Sequence, residues 1–365
     1  MPPPDLPTDP ARRPVLFVNP KSGGGKAARA GLAELARARG IDAVVLRPSD
    51  DLGTLADGAA ARGAQALGAA GGDGSLAVVA AAALAHGLPF VCVPAGTRNH
   101  FALDVGVDRD DLAGSLDGFS NGVERRIDVA EVNGRLFLNN VSLGIYGDAV
   151  RRPTYRDAKA RTLLETAAHV LGPSAAAVDL EVVDDRGRRH LDPAVVLVSN
   201  NPYSLEPPHT PGTRPKLDSG ELGVIVLDTP RAGRGPGRTW NAPRLAVTAP
   251  SVIHAGIDGE AVELTPPLDF VIRPGALRVW IPSKSTPPLK KSRPAFSAPR
   301  SHLGCGTSPL VFAIAQRYEG ESARVDVPAD RPVFSPNEFA ASTARRADGR
   351  SSGSLTPRGR SRRRD

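Results

Sequence analysis

The sequence predicts an α/β domain with a mostly parallel sheet, then an antiparallel β domain, then a basic tail outside the folded core. Up to about residue 102, short apolar runs alternate with alanine-rich stretches of helical period, the pattern of βαβ units. After Arg126 the helical period gives way to near-alternating runs separated by Pro, Gly and Asp clusters, the mark of antiparallel strands. From Ser283 on, 16 Lys or Arg stand against 7 Asp or Glu among many Pro and Ser, a composition that predicts disorder.

In the first part, strands are expected at VLFVN (from Val15), DAVVL (Asp42), QALGAA (Gln65) and FVCVP (Phe90). Helices are expected at Ala27 to Arg39, Leu52 to Arg62 and Leu76 to His86, the first placing Ala28, Leu32, Leu35 and Ala36 on one face. In the second part, RRIDVAEVNGRLFLNNVSLG pivots on Asn133-Gly134, a strong short-range hairpin signal. Further strands are expected at VDLEVV, AVVLVSN, ELGVIVLD, AVELT, LDFVI and LRVWIP, and a helical insertion with a basic cluster at Arg151 to Gly172.

Charge and composition exclude several function classes. The formal net charge is +7, but the residues before Ser283 carry 30 basic against 32 acidic side chains, net −2. The basicity therefore belongs to the tail, and a nucleic-acid partner is not expected for the folded core. Cys92 and Cys305 form no metal-ligand spacing and no disulfide framework. The apolar run Leu76 to Ala85 is too short for a span of about 20 residues, and the N-terminus shows no apolar signal segment. A cytoplasmic protein is the expectation.

Each predicted strand end in the first part runs into a glycine-rich or polar turn, and in open α/β sheets ligands bind at the carboxyl ends of strands. The loop NPKSGGGK looks at first like a P-loop. A Walker loop, however, needs a glycine five residues before its Gly-Lys pair and a Ser or Thr after it, and Pro20 and Ala27 stand there. The stretch AAGGDGSLAVV places three glycines at a strand end just before a helix, where free backbone N–H groups suit a phosphate. Asp73 inside that turn is unfavourable beside phosphates unless it binds magnesium, a ribose hydroxyl or an attacking hydroxyl. Near the far end of the second part, Asp258-Gly259 between apolar runs reads as a hairpin turn.

In this order NPKSGGG, GGDGS and PAGTRN resemble the diacylglycerol kinase catalytic-domain family, which includes bacterial lipid kinases and sphingosine and ceramide kinases and is related in fold to NAD kinase. The resemblance covers Val15 to Pro282. It implies an α/β ATP-binding domain over residues 14–125 and a β-sandwich over 126–282; residues 1–13 and the tail 283–365, outside the resemblance, are expected to be disordered. It also implies ATP and magnesium as cofactors and ATP bound between the two domains. Asn19, Pro20, Lys21, Ser22 and Gly23 would form the first ATP-contacting loop. Gly71, Gly72, Asp73, Gly74 and Ser75 would form the second, with Thr97 in the third. Ser75 replaces the family's usual Thr and keeps the hydroxyl; Ala77 replaces a common Asn and loses a polar contact.

The family's Asp-Gly-Glu motif falls at Asp258 to Glu260. Glu260 is the expected general base, with Asp258 as metal or hydrogen-bond partner and rival base, and Asp73 as the third candidate. A structural magnesium site of the family would fall in RPKLDSGELGV, where Ser219 replaces the expected carboxylate beside Asp218. VSNNPYSL, Val198 to Leu205, is expected to shape the cleft between the domains.

The implied reaction is transfer of the ATP γ-phosphoryl group to the hydroxyl of diacylglycerol or a related lipid, reached by peripheral contact with a membrane. Arg151, Arg152, Arg156, Lys159 and Arg161 are candidates for that contact. A soluble small-molecule kinase of NAD kinase type and a nucleotide-binding regulatory protein without turnover are the alternatives.

Overall fold

The four fully or partly apolar runs of the first part form a parallel sheet whose strands read directly from their burial. The computed structural model describes residues 6–144, 179–191, 193–204, 213–228 and 238–283, all within one unit, Met1–Gly320. The expected insertion at 151–172 and the tail after Ser283 lie outside them. The two-residue β1 (Leu6–Pro7), in the stretch expected to be disordered, is instead ordered by antiparallel pairing with Val123 and Glu124; the strands β2 (Pro14–Val18), β3 (Asp42–Val45), β4 (Ala66–Gly71) and β5 (Phe90–Pro94) line up in the order β3-β2-β4-β5. Every residue of β2, β4 and β5 is buried, as a sheet covered on both faces requires, whereas β3, at the edge, is only partly so.

Helices α1 (Lys26–Arg29), α2 (Leu32–Ala38), α3 (Leu52–Ala61), α4 (Asp73–Ala85), α5 (His100–Val105) and α6 (Leu112–Ser115) connect and cover these strands. Successive side chains alternate between the two faces. Phe17, Leu67 and Phe90 join Val79, Ala80 and Ala83 of α4 in one core, and Leu16, Val18 and Val93 join Leu32 and Ala36 of α2 in another.

Two helix expectations need correction. The helix expected over Ala27 to Arg39 breaks at Gly31, whose left-handed φ of 55° starts α2 afresh. The break resets the helical phase, so Ala27 is buried and Ala28 exposed, opposite to the continuous-helix reading. The helix expected from Leu76 begins three residues earlier, at Asp73, because Gly72 is extended (φ −84°, ψ 174°) and Asp73 suits the positive first turn.

The antiparallel part begins with β6 (Gly122–Val132), so residues 125 and 126 lie inside a continuous strand. β7 (Arg135–Phe137) pairs back on it through Asn133 (φ 48°) and Gly134 (φ 77°), the hairpin expected there. The rest comprises β8 (Asn140–Gly144), β9 (Glu181–Val183), β10 (Arg189–Leu191), β11 (Pro193–Asn200), β12 (Leu222–Asp228), β13 (Arg238–Ala242), β14 (Arg244–Thr248), β15 (Ile253–Ile257), β16 (Glu260–Leu264) and β17 (Leu268–Pro282). Six of these form a second sheet in the order β13-β12-β11-β8-β15-β16. Val132, Phe137 and Phe270 from the first sheet meet Val141, Val196 and Val224 from the second in one apolar core.

LDFVI and LRVWIP, expected as two strands, are one. β17 runs through Pro274-Gly275 by a register shift between Arg273 and Leu277 against β6. Its first half pairs with β14 and its second half with β5, where Val279 and Trp280 sit opposite Phe90 and Val91 in parallel. One strand therefore carries the parallel sheet into the antiparallel one.

Candidate active site

The loops after β2, β4 and β5 touch one another through backbone atoms, and glycine makes the approach possible. A β-carbon on Gly96 would stand 2.5 Å from the Cα of Gly72, and one on Gly23 would stand 2.5 Å from the carbonyl oxygen of Ala95. Asn19 Nδ2 donates to Ser75 Oγ at 3.4 Å, joining the first loop to the second. Asn99, buried and in the left-handed region (φ 52°), holds the third: its Oδ1 accepts from Gly96 N at 2.8 Å, and its Nδ2 donates to Pro94 O and Gly96 O. The result is a cleft of about 250 Å³ walled by all three loops on one side and by the second sheet on the other.

Of the residues expected to contact ATP, Asn19, Ser22, Gly23, Gly72, Asp73, Gly74, Ser75 and Thr97 line the cleft. Pro20, Lys21 and Gly71 lie outside its lining; Gly71 packs behind the second loop, where a β-carbon would stand 2.8 Å from Ser75 Cβ. Lys26 is also outside it. Its Nζ donates to Arg109 O at 2.6 Å and Pro94 O at 3.4 Å, so the ammonium ties α1 to the segment after β5.

Three carboxylates face this cleft. Asp258 occupies the β15–β16 hairpin turn with φ 48°, followed by Gly259 at φ 86°, so the hairpin reading and the site reading describe one turn. Its Oδ2 accepts from Leu138 N at 2.8 Å, and its Oδ1 accepts from Asn139 N at 2.7 Å and Asn140 N at 3.2 Å. Burial pushes the Asp258 carboxyl up to about 6, helped by the charge of Asp73 and opposed by these three N–H donors. Asp73 opens α4, and its Oδ1 lies 3.4 Å from the N–H of Phe101. Glu260 is exposed and lies across the first turn of α4: a β-carbon on Gly74 would stand 3.0 Å from Glu260 Cγ. The positive end of that helix favours a carboxylate there.

Asn139, Asn140, Ser142 and Gly256 also line the cleft, as do Arg98, Asn99 and His100, none of which had been assigned a role from sequence. The signal for Asn99 was present in PAGTRN; FLNNVSLG carried only strand alternation. Asn200 and Asn201, from VSNNPYSL, are buried behind the wall. Asn200 Nδ2 donates to Asp128 O and Leu138 O, Asn201 Nδ2 donates to Asp128 Oδ2, and Tyr203 Oη accepts from Asn140 Nδ2 at 2.8 Å.

Near Ser219 a hydroxyl stands where the family's structural magnesium site would have a carboxylate. Ser219 Oγ accepts from Asn201 Nδ2, Asp218 is exposed, and both oxygens of buried Asp128 are taken by the N–H groups of Gly220 and Gly275 and by Asn201. Among the described residues no group of three or more His, Cys, Asp or Glu is arranged to hold a metal ion. A nucleotide-borne magnesium needs only one or two carboxylates, and Asp73 and Asp258 are close enough for one to raise the pKa of the other.

A parallel α/β sheet whose three strand-end loops meet a hairpin bearing an Asp-Gly-Glu turn defines the architecture of the cleft. The diacylglycerol kinase catalytic domain matches residues 13–132. A Pseudomonas aeruginosa protein named "Probable lipid kinase YegS-like" is 30% identical over 302 residues, 77% of this chain and 97% of its own. A Bacillus subtilis diacylglycerol kinase is 41% identical over 73 residues, 20% of this chain and 24% of its own. The crystal structure of a diacylglycerol kinase from Bacillus anthracis str. Sterne shares the fold, with a TM-score of 0.54 and 16% identity over 76% of this chain and 99% of its own. The chain belongs to the diacylglycerol kinase catalytic-domain family. Among the described residues no helix is long and apolar enough to cross a membrane.

Proposed function

We propose that this protein is an ATP-dependent lipid kinase that transfers the γ-phosphoryl group to the hydroxyl of diacylglycerol or a related lipid. The observation that carries the reading is the convergence of Asp73, Asp258 and Glu260 on the cleft formed by the three glycine loops. Family membership supports a kinase acting on lipid-like substrates. In this reading residues 14–125 supply the ATP loops and residues 126–282 supply the wall that faces the acceptor.

The triphosphate would lie against the backbone N–H groups at the start of α4 and the backbone of the first and third loops, which need no side chain to bind phosphate. Asp73 and Asp258 would hold the magnesium that accompanies ATP; when bound, it neutralises phosphate charge. Asp258 cannot turn, because its oxygens are fixed by Leu138, Asn139 and Asn140. Glu260 is the exposed carboxylate of the three, so it is the one able to reach an incoming hydroxyl. It accepts the hydroxyl proton as the acceptor oxygen bonds to the γ-phosphorus, the bond from that phosphorus to the β-bridging oxygen breaks, and ADP leaves. The lipid is met at a membrane surface, by peripheral contact.

The test is phosphoryl transfer from labelled ATP to diacylglycerol in mixed micelles, beside soluble acceptors that include NAD. Transfer to lipid that is lost in Glu260→Gln supports the proposal. Transfer to a soluble acceptor alone would make the protein a small-molecule kinase of NAD kinase type, and ATP binding without transfer would make it a nucleotide-binding regulator.

A further inference from the structure

Among the described residues Arg214 is the largest fully buried charged side chain, 1% exposed. Its guanidinium meets Asp104 of α5, with Nε and Nη2 donating to Oδ2 at 2.8 and 2.7 Å. The same fork reaches the second sheet. Nη1 donates to Leu138 O and to Asn200 O, and Nη2 donates to Asn139 Oδ1 at 2.8 Å. It therefore joins the helix that follows the third nucleotide loop to the segment that cradles Asp258.

The connection to Asp258 is a single peptide unit. Leu138 C=O and Asn139 N–H belong to one planar group, so fixing the direction of one end fixes the other. Arg214 holds the carbonyl end, and the N–H end donates to Asp258 Oδ1 at 2.7 Å. A buried ion pair adds little net stability over apolar packing of the same shape, so what the five-donor fork contributes here is direction. A lysine cannot reproduce it, since one ammonium cannot span Asp104, Leu138, Asn139 and Asn200 at once.

We propose that Arg214 is a positioning residue for Asp258, acting through the Leu138–Asn139 peptide and registering the hairpin turn against α5 through Asp104. The inference rests on the kinase reading for its effect on turnover, but its geometric content stands apart from that reading. Two readouts separate them. The first is the kcat and the KM for ATP of Arg214→Lys in transfer to diacylglycerol micelles, at a temperature where the variant is folded by circular dichroism. A fall in kcat of about tenfold or more is expected, larger than the accompanying rise in the KM for ATP, because the turn is misdirected while the three loops keep their own bonds. The second is the Asn139 amide proton resonance in protein labelled with 15N-asparagine, without substrate. It is expected to move upfield as the bond to Asp258 lengthens.

Asp104→Asn keeps the shape and one acceptor, and is expected to move both readouts in the same direction by less; it carries the test if Arg214→Lys does not fold. A folded variant with wild-type kcat and an unmoved Asn139 amide would overturn the proposal. If the wild-type protein transfers phosphate to no acceptor while the Asn139 resonance still moves in Arg214→Lys, the kinase reading falls and the positioning of Asp258 by Arg214 is upheld.

Discussion

Gly96 and Gly72 meet backbone to backbone: a β-carbon on Gly96 would stand 2.5 Å from the Cα of Gly72 and 2.8 Å from Asn99 Oδ1. Neither neighbour can yield, since one is main chain and the other already accepts from Gly96 N. Gly96→Ala is therefore expected to push the third loop off the second and destabilise the fold by about 1–3 kcal/mol. ATP affinity, measured by calorimetry, should fall by more than about tenfold. Unchanged affinity would mean that the loops do not act as one surface.

Lys26 gives the opposite expectation. Its ammonium is committed to the carbonyls of Arg109 and Pro94 and lies outside the cleft lining. Lys26→Met should leave the KM for ATP within about twofold and lower stability in urea by about 1.5–3 kcal/mol, the loss of hydrogen bonds to a charged donor. A large rise in the KM for ATP would show that Lys26 does serve as a phosphate lysine.

The strands of the parallel sheet, the three loops and both hairpin turns were legible in the sequence, because each is a local pattern of apolar runs, glycine clusters or Asn-Gly and Asp-Gly pairs, whereas β10, β13 and β14 were not expected. What was not legible arises from contacts distant along the chain. β17 reads as two strands because Pro274-Gly275 is local punctuation, and only pairing with β6, β14 and β5 keeps it continuous. Asn139 and Asn140 look like strand residues until Asp258, more than a hundred positions away, is seen to accept from their N–H groups. Arg214 sits in a stretch whose sequence suggested a metal site. Its role appears only when Asp104 and Leu138 are brought to it.

Glu260 and Asp258 differ in how they are held, and their variants should differ accordingly. Glu260 is exposed, whereas Asp258 accepts three backbone N–H bonds. Glu260→Gln should lower kcat by about 10²–10⁴, as removal of a general base requires, with a smaller change in melting temperature than Asp258→Asn. Asp258→Asn should lower kcat and also alter stability, because an amide NH₂ must then face a backbone donor. A Glu260→Gln protein with wild-type kcat would transfer the base role to Asp258 or Asp73.

The pH dependence of stability tests the electrostatics of Asp258 directly. Its carboxyl is raised from 3.8 to about 6 in the folded protein, with burial the first cause and the charge of Asp73 adding to it. Between those values the folded state keeps a proton that the unfolded chain has released, so stability falls as pH rises. The cost is absent below about pH 4 and fully present above about pH 6, where it amounts to about 3 kcal/mol. Asp258→Asn has no such titration. The unfolding free energy of the wild type minus that of Asp258→Asn, from urea denaturation with a chelator present, should therefore drop between pH 4 and pH 7 while other groups cancel. A difference that rises with pH would mean that the N–H groups of Leu138, Asn139 and Asn140 outweigh burial. The turn would then hold a carboxylate that is stable as an anion without any cation.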